Sequence, residues 1–143
     1  MDDGTTTLIN DGSVIATTGN LTFTADNWTN NGTLQANAAT LTLTESSTIW
    51  TNAIGGVIRA DNGATITIPN GAAWTNLGGA GSFQLNTGST LNLGGTYTLA
   101  DFLSVDSDGS GTFNLTAGSL NLGGGTLQPT AAGTGTGPVN IAG

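Results

Sequence analysis

The phrase Leu21-Thr-Phe-Thr24 returns 20 residues later as Leu41-Thr-Leu-Thr44, and between the copies lie Trp28-Thr-Asn30 and Gly32-Thr-Leu-Gln-Ala36. Repetition at this period constrains the chain more than any other feature. A unit of this length holds only a few strands, cannot bury its own apolar face, and has to stack on a neighbour. Aligning on a glycine followed by a short alternating run brings six segments together: Gly12-SVIAT, Gly32-TLQAN, Gly56-VIRAD, Gly81-SFQLN, Gly111-TFNLT and Gly137-PVNIA. In each, two apolar residues flank an outward one, such as Leu34/Ala36 about Gln35, Ile58/Ala60 about Arg59, and Phe83/Leu85 about Gln84. Phe113/Leu115 about Asn114 continues the series. Period-two alternation is the signature of a strand with one buried face.

A second strand family comprises Leu21-Thr-Phe-Thr, Leu41-Thr-Leu-Thr, Ile66-Thr-Ile-Pro, Leu91-Asn-Leu-Gly and Leu120-Asn-Leu-Gly. A third is Trp28-Thr-Asn30, Trp50-Thr-Asn52 and Trp74-Thr-Asn76, with Leu8-Ile-Asn10 as a degenerate first copy. Gly125-Thr-Leu-Gln-Pro129 reads as the Trp-type strand of the last coil. The anchor glycines are 20, 24, 25, 30 and 26 residues apart. Hairpins need no such period, whereas sequential copies of three strands stack in parallel, one coil above the next. The expected fold is an all-β parallel β-helix of five to six coils, each 20–30 residues, forming one segment over 1–143. At ~4.8 Å per coil the rod would be about 25–30 Å long. An antiparallel sandwich or barrel is the alternative.

This fold would place Leu34, Ile58, Phe83 and Phe113 in one inward column, stack Trp28, Trp50 and Trp74, and line up Asn30, Asn52 and Asn76 at the turn. The Asn column reads either as an amide ladder or as ordinary turn preference, since Asn tolerates the left-handed backbone of tight turns.

Composition bears on partners. Only 7% of the chain is charged, the net charge is −8, and Arg59 is the one basic residue. Nucleic acid and anionic membranes need clustered cations and are excluded as partners. No apolar run is long enough to span a bilayer. Cys and His are both absent, which removes disulfides, thiolate chemistry and imidazole bases. The acidic start Met1-Asp2-Asp3 is no signal peptide, and the chain reads as a piece of a longer exported protein.

The phrase Trp-Thr-Asn-x-Gly-x-Leu-x-Ala, with Gly-Ala-Thr at 63–65 and Leu93-Gly-Gly-Thr-Tyr-Thr-Leu-Ala-Asp-Phe102, resembles the degenerate repeats of large bacterial secreted and surface proteins. These are the β-helical passengers of the filamentous-haemagglutinin, autotransporter and adhesin-like type. The resemblance spans nearly the whole chain. It implies a stalk or passenger on the cell surface or outside the cell, adhesive toward a glycan or host surface, and it carries no catalytic motif.

Three chemical readings remain. Asp106-Ser-Asp108-Gly-Ser110-Gly111 matches the opening of a calcium loop, where alternate oxygens converge on the cation and glycine makes the bend. The twelfth position would be Ala117 rather than a bidentate Glu, so the bland reading is a solvated acidic turn and calcium is the only cofactor in question. Outward Thr22/Thr24 and Thr42/Thr44 form the start of an ice-binding array, but the next rungs read Thr67/Pro69, Asn92/Gly94 and Asn121/Gly123, and the array decays. Glu45, Asp61 and Asp101 fall singly in different coils, and Arg59 reads as a surface residue, so no enzyme is expected. Carbohydrate binding would use exposed Asn and Gln with Tyr97 as the aromatic platform. Neither end reads as a cap, and end-to-end self-association is expected.

Overall fold

The computed structural model describes residues 7–25, 27–45, 49–69, 73–86, 88–107, 111–115, 119–121 and 139–141. The first coil consists of β1 (Thr7–Asn10), β2 (Ser13–Ala16) and β3 (Asn20–Ala25). The second has β4 (Asn27–Asn30), β5 (Thr33–Asn37) and β6 (Thr40–Glu45). The third has β7 (Trp50–Asn52), β8 (Val57–Asp61) and β9 (Thr65–Ile68), and the fourth β10 (Trp74–Asn76), β11 (Phe83–Leu85) and β12 (Thr90–Leu93). There follow β13 (Thr96–Thr98), the helical turn α1 (Leu99–Leu103), β14 (Val105–Ser107), β15 (Thr112–Leu115), β16 (Ser119–Asn121) and β17 (Val139–Ile141).

Like strands stack on like. The Trp-bearing strands form a sheet in the order β1-β4-β7-β10, the glycine-led strands one in the order β2-β5-β8-β11-β14, and the third family one in the order β3-β6-β9-β12-β15-β17. All these ladders are parallel. Four coils contribute a strand to each of the three sheets, which makes the protein a β-solenoid. Val14, Leu34, Ile58 and Phe83 lie directly over one another in the second sheet. Leu34, Ile58 and Phe83 are buried at the centre of one continuous core with Leu41, Ile66, Leu91 and the three Trp residues. Burying each such side chain stabilises the rod by about 1.5–3 kcal/mol before chain entropy is subtracted.

Beyond the fourth coil the structure departs from the expected alignment in four respects. Thr112–Leu115 does not continue the glycine-led sheet; Phe113 stands over Leu91 of the third sheet, and Val139 over Phe113. The fifth strand of the second sheet is Val105–Ser107, with Val105 over Phe83. Leu120 belongs to neither family, because β16 pairs with β13 and sets Leu120 beside Tyr97. Among the described residues the Trp sheet ends at β10, and complete three-strand coils number four rather than five to six. The physical reason is degeneracy: Thr112-Phe-Asn-Leu115 has the residue pattern of Thr90-Leu-Asn-Leu93, so alternation alone cannot say which sheet it joins. Gly125-Thr-Leu-Gln-Pro129 lies outside the described residues.

Gly32 shows why a glycine begins the second-sheet strand: a Cβ there would overlap the carbonyl oxygen of Gly12 in the preceding coil. Where the chain turns toward the third sheet, Asn62 takes the left-handed conformation at φ 56° and Ala64 N–H donates to Asp61 O at 3.1 Å, closing a β-turn.

Candidate functional site

The interior is polar at one corner. Asn10 Nδ2 donates to Asn30 Oδ1 at 2.7 Å, Asn30 Nδ2 to Asn52 Oδ1 at 2.8 Å, and Asn52 Nδ2 to Asn76 Oδ1 at 2.9 Å. The second amide hydrogen of each donates to a backbone carbonyl, Thr33 O, Val57 O and Gly56 O in turn. Asn76 Nδ2 ends the column on the hydroxyls of Ser82 and Ser104, both at 2.9 Å. Asn30 and Asn52 have no exposed surface, so an amide, which both donates and accepts, is the side chain that can repeat there without an orphaned polar atom.

Beside this column the indoles stack inward. Trp28 and Trp50 lie 4.3 Å apart at 6°, Trp50 and Trp74 5.5 Å apart at 17°, and Phe83 meets Trp74 edge-on. Trp28 Nε1 donates to Thr44 O and Trp74 Nε1 to Gly94 O, while Trp50 Nε1 has no partner among the described residues.

An ion pair lies at the corner between the second and third sheets. Asp61, 6% exposed, accepts from Arg59 Nε (2.6 Å) and Nη2 (3.0 Å), Gln35 Nε2 (2.6 Å) and Asn86 Nδ2 (3.0 Å). Arg59 is exposed, as expected of a surface residue, but it pairs with Asp61, which is not an isolated charge and ties three successive coils together. Desolvation is the largest single influence and pushes the Asp61 carboxyl up, but the donors from Arg59, Asn86 and Gln35 and the Arg59 charge together outweigh it and hold it below the ordinary value. The hydrogen bond to Asp61 raises Arg59. Asp101 caps α1 instead, accepting from Thr98 N–H and Oγ1–H while its own N–H donates to Thr98 Oγ1.

Asp106, expected to open a calcium loop, lies within β14 opposite Gln84; Asp108 and Ser110 lie outside the described residues. Among the described residues no three acidic side chains converge as a metal site would require. Tyr97 is 4% exposed, its hydroxyl pKa raised by burial, and it cannot serve as the sugar-stacking platform expected of it.

The three outer faces differ. The second sheet presents a mixed column of Ile15, Gln35, Arg59 and Gln84. The third sheet is uniform: every outward position from β3 through β15 is Thr or Asn. One column runs Asn20, Thr40, Thr65, Thr90, Thr112, and a second Thr22, Thr42, Thr67, Asn92, Asn114. Outward positions counted from the first apolar residue of each strand leave out the first column. Its signal was the Thr directly before Leu41, Ile66, Leu91 and Phe113.

A rod whose like residues stack coil on coil around an oily centre, with polar ladders at its corners, is a repeat protein of the parallel β-solenoid class. No protein-family pattern matches the chain, and no curated protein or solved structure is detectably similar to it.

Proposed function

We propose that this chain is a rigid stalk or fibre-building segment of a bacterial extracellular or cell-surface protein, of the filamentous-haemagglutinin or adhesin-like kind. The observation that carries the reading is the unbroken parallel register of the third sheet, which runs along the rod through six strands. Such a ladder loads many backbone hydrogen bonds side by side, and its length is set by the number of coils, as a spacer requires. The lack of Lys and the burden of uncharged Thr and Asn suit exposure to proteases outside the cell. The binding head, glycan-directed or otherwise, lies elsewhere in the parent protein on this reading.

End-to-end assembly accompanies it. Among the described residues β1, β2 and β3 pair on one side only, and Leu8, Ile9 and Ile15 of the first coil are exposed. An unpaired set of parallel strand edges is a template for another coil. Sedimentation velocity and electron microscopy of the 143-residue chain across a concentration series test this, with lengthening rods expected. A monomer of unchanged sedimentation at every concentration refutes the fibre part. Single-molecule stretching tests the stalk part, which fails if the segment extends at forces that a flexible linker would not resist.

A further inference from the structure

We infer that the outer face of the third sheet binds the surface of ice. This is independent of the stalk reading and rests on the side chains of that face.

The face is a two-dimensional array of one chemistry. Its columns advance by one strand spacing, ~4.8 Å, and its rows by two residues, ~6.6–6.8 Å. The Asn20–Thr112 column stays in register through five strands without a bulge, although 20, 25, 25 and 22 residues separate its members. Length variation between coils is thus absorbed elsewhere, and this sheet is kept regular. β-branched Thr is stiff at χ1, so each side chain holds its methyl and hydroxyl in a restricted set of orientations on the strand.

The second observation is where the polar hydrogen bonds go. At the corners of the rod the amide donors are consumed internally: by the Asn column, by Asp61, by Asn31 on Asp11 and by Asn62 on Asn37; the outward Thr29, Thr51 and Thr75 of the Trp sheet are a single shorter column beside exposed Ile9. On this face the hydroxyls of Thr22, Thr40, Thr42, Thr65, Thr90 and Thr112 have no side-chain partner among the described residues. Only the lower part of the second column bonds to itself, through Asn92 to Thr67 and Asn114 to Asn92.

A rigid array of hydroxyls and methyls orders its first layer of water on its own repeat. A partner that gains from that order is itself a periodic, uncharged lattice of hydrogen-bonded oxygens. An ionic partner is disfavoured, since no charged residue occupies an outward position from β3 through β15. A crystalline polysaccharide is disfavoured too, because sugar rings dock on exposed aromatic faces, and Trp28, Trp50, Trp74 and Tyr97 are all buried. Ice fits both requirements.

Ice crystals grown in the presence of the chain, with thermal hysteresis and recrystallisation measured alongside, test the inference. The native chain should facet the crystals and hold their growth below the melting point. Thr65→Lys and Thr90→Lys, at the centre of the face, should each lose most of that activity, whereas Gln84→Lys on the second sheet should keep it. Far-UV circular dichroism and melting temperature identify any variant that fails to fold, and Thr42→Val, which keeps shape and removes a hydroxyl, stands in for it. Round, unfaceted crystals with the native chain overturn the inference. So do equal losses in the Thr65 and Gln84 variants, or sedimentation with microcrystalline cellulose but no adsorption to ice.

Discussion

Removing Asn52 is the sharpest test of what holds the coils in register. Its side chain is fully buried and makes three hydrogen bonds: it accepts from Asn30, and donates to Asn76 and to the carbonyl of Gly56. Asn52→Ala deletes all three. At ~1 kcal/mol each they account for about 3 kcal/mol. The partners left behind are unequally hurt. Asn30 still donates to Val57 O, and Asn76 Oδ1 still accepts from Gly78 N and Ser82 Oγ, but Gly56 O has no other donor among the described residues. That orphaned carbonyl adds about 1–2 kcal/mol, for a total loss of roughly 4–5 kcal/mol. Asn62→Ala is the control: its side chain also bonds across coils, to Asn37, but at the surface, where water replaces the partner, and it should cost well under ~1 kcal/mol. Urea denaturation read by tryptophan fluorescence and circular dichroism together supplies both values. Equal effects of the two substitutions would refute the idea that burial makes the Asn column a stabilising ladder rather than a string of turn residues.

Asp61, held below the ordinary carboxyl value, binds fewer protons folded than unfolded through the acid range. Its stabilising contribution is therefore complete above about pH 4 and is lost as pH falls through the folded pKa. Urea midpoints against pH should drop more steeply in the native chain than in Asp61→Asn, and parallel curves would contradict it. Ser89 Oγ is fully buried without a partner among the described residues, at a position that Ala64 fills in the coil before, so Ser89→Ala should be neutral or stabilise by up to about 1–2 kcal/mol. A clear loss of stability would reveal a bond to that hydroxyl. Gly32→Ala forces a Cβ into the Gly12 carbonyl and should destabilise the first two coils by at least ~1–3 kcal/mol, seen as faster amide exchange in residues 13–25 than in residues 83–93. Uniform protection in that variant would show that the coils can separate without strain.

Much of the architecture was legible because it depends on spacing. The Trp-Thr-Asn triplets have a period and an identity that only stacking explains, and Leu8-Ile-Asn10 does sit beneath Trp28-Thr-Asn30 as their worn copy. The alternation of Leu34, Ile58 and Phe83 with polar neighbours likewise named the inward side. The Asp106-Ser-Asp108 motif was less telling: its first acid falls in β14, paired with Gln84, and Asp108 and Ser110 lie outside the described residues. Tyr97 was taken for a surface aromatic because nothing local says that β13 turns its ring into the core.

Periodicity in the chain was enough to specify a parallel coil with an apolar centre, since side-chain alternation and repeat length are local quantities written residue by residue. Which sheet each late strand would join, the gathering of Gln35, Arg59 and Asn86 around Asp61, and the alignment of Thr40, Thr65, Thr90 and Thr112 were decided only by the tertiary structure. Those outcomes depend on how many residues each turn absorbs between rungs, and that number follows from packing against the coil before it.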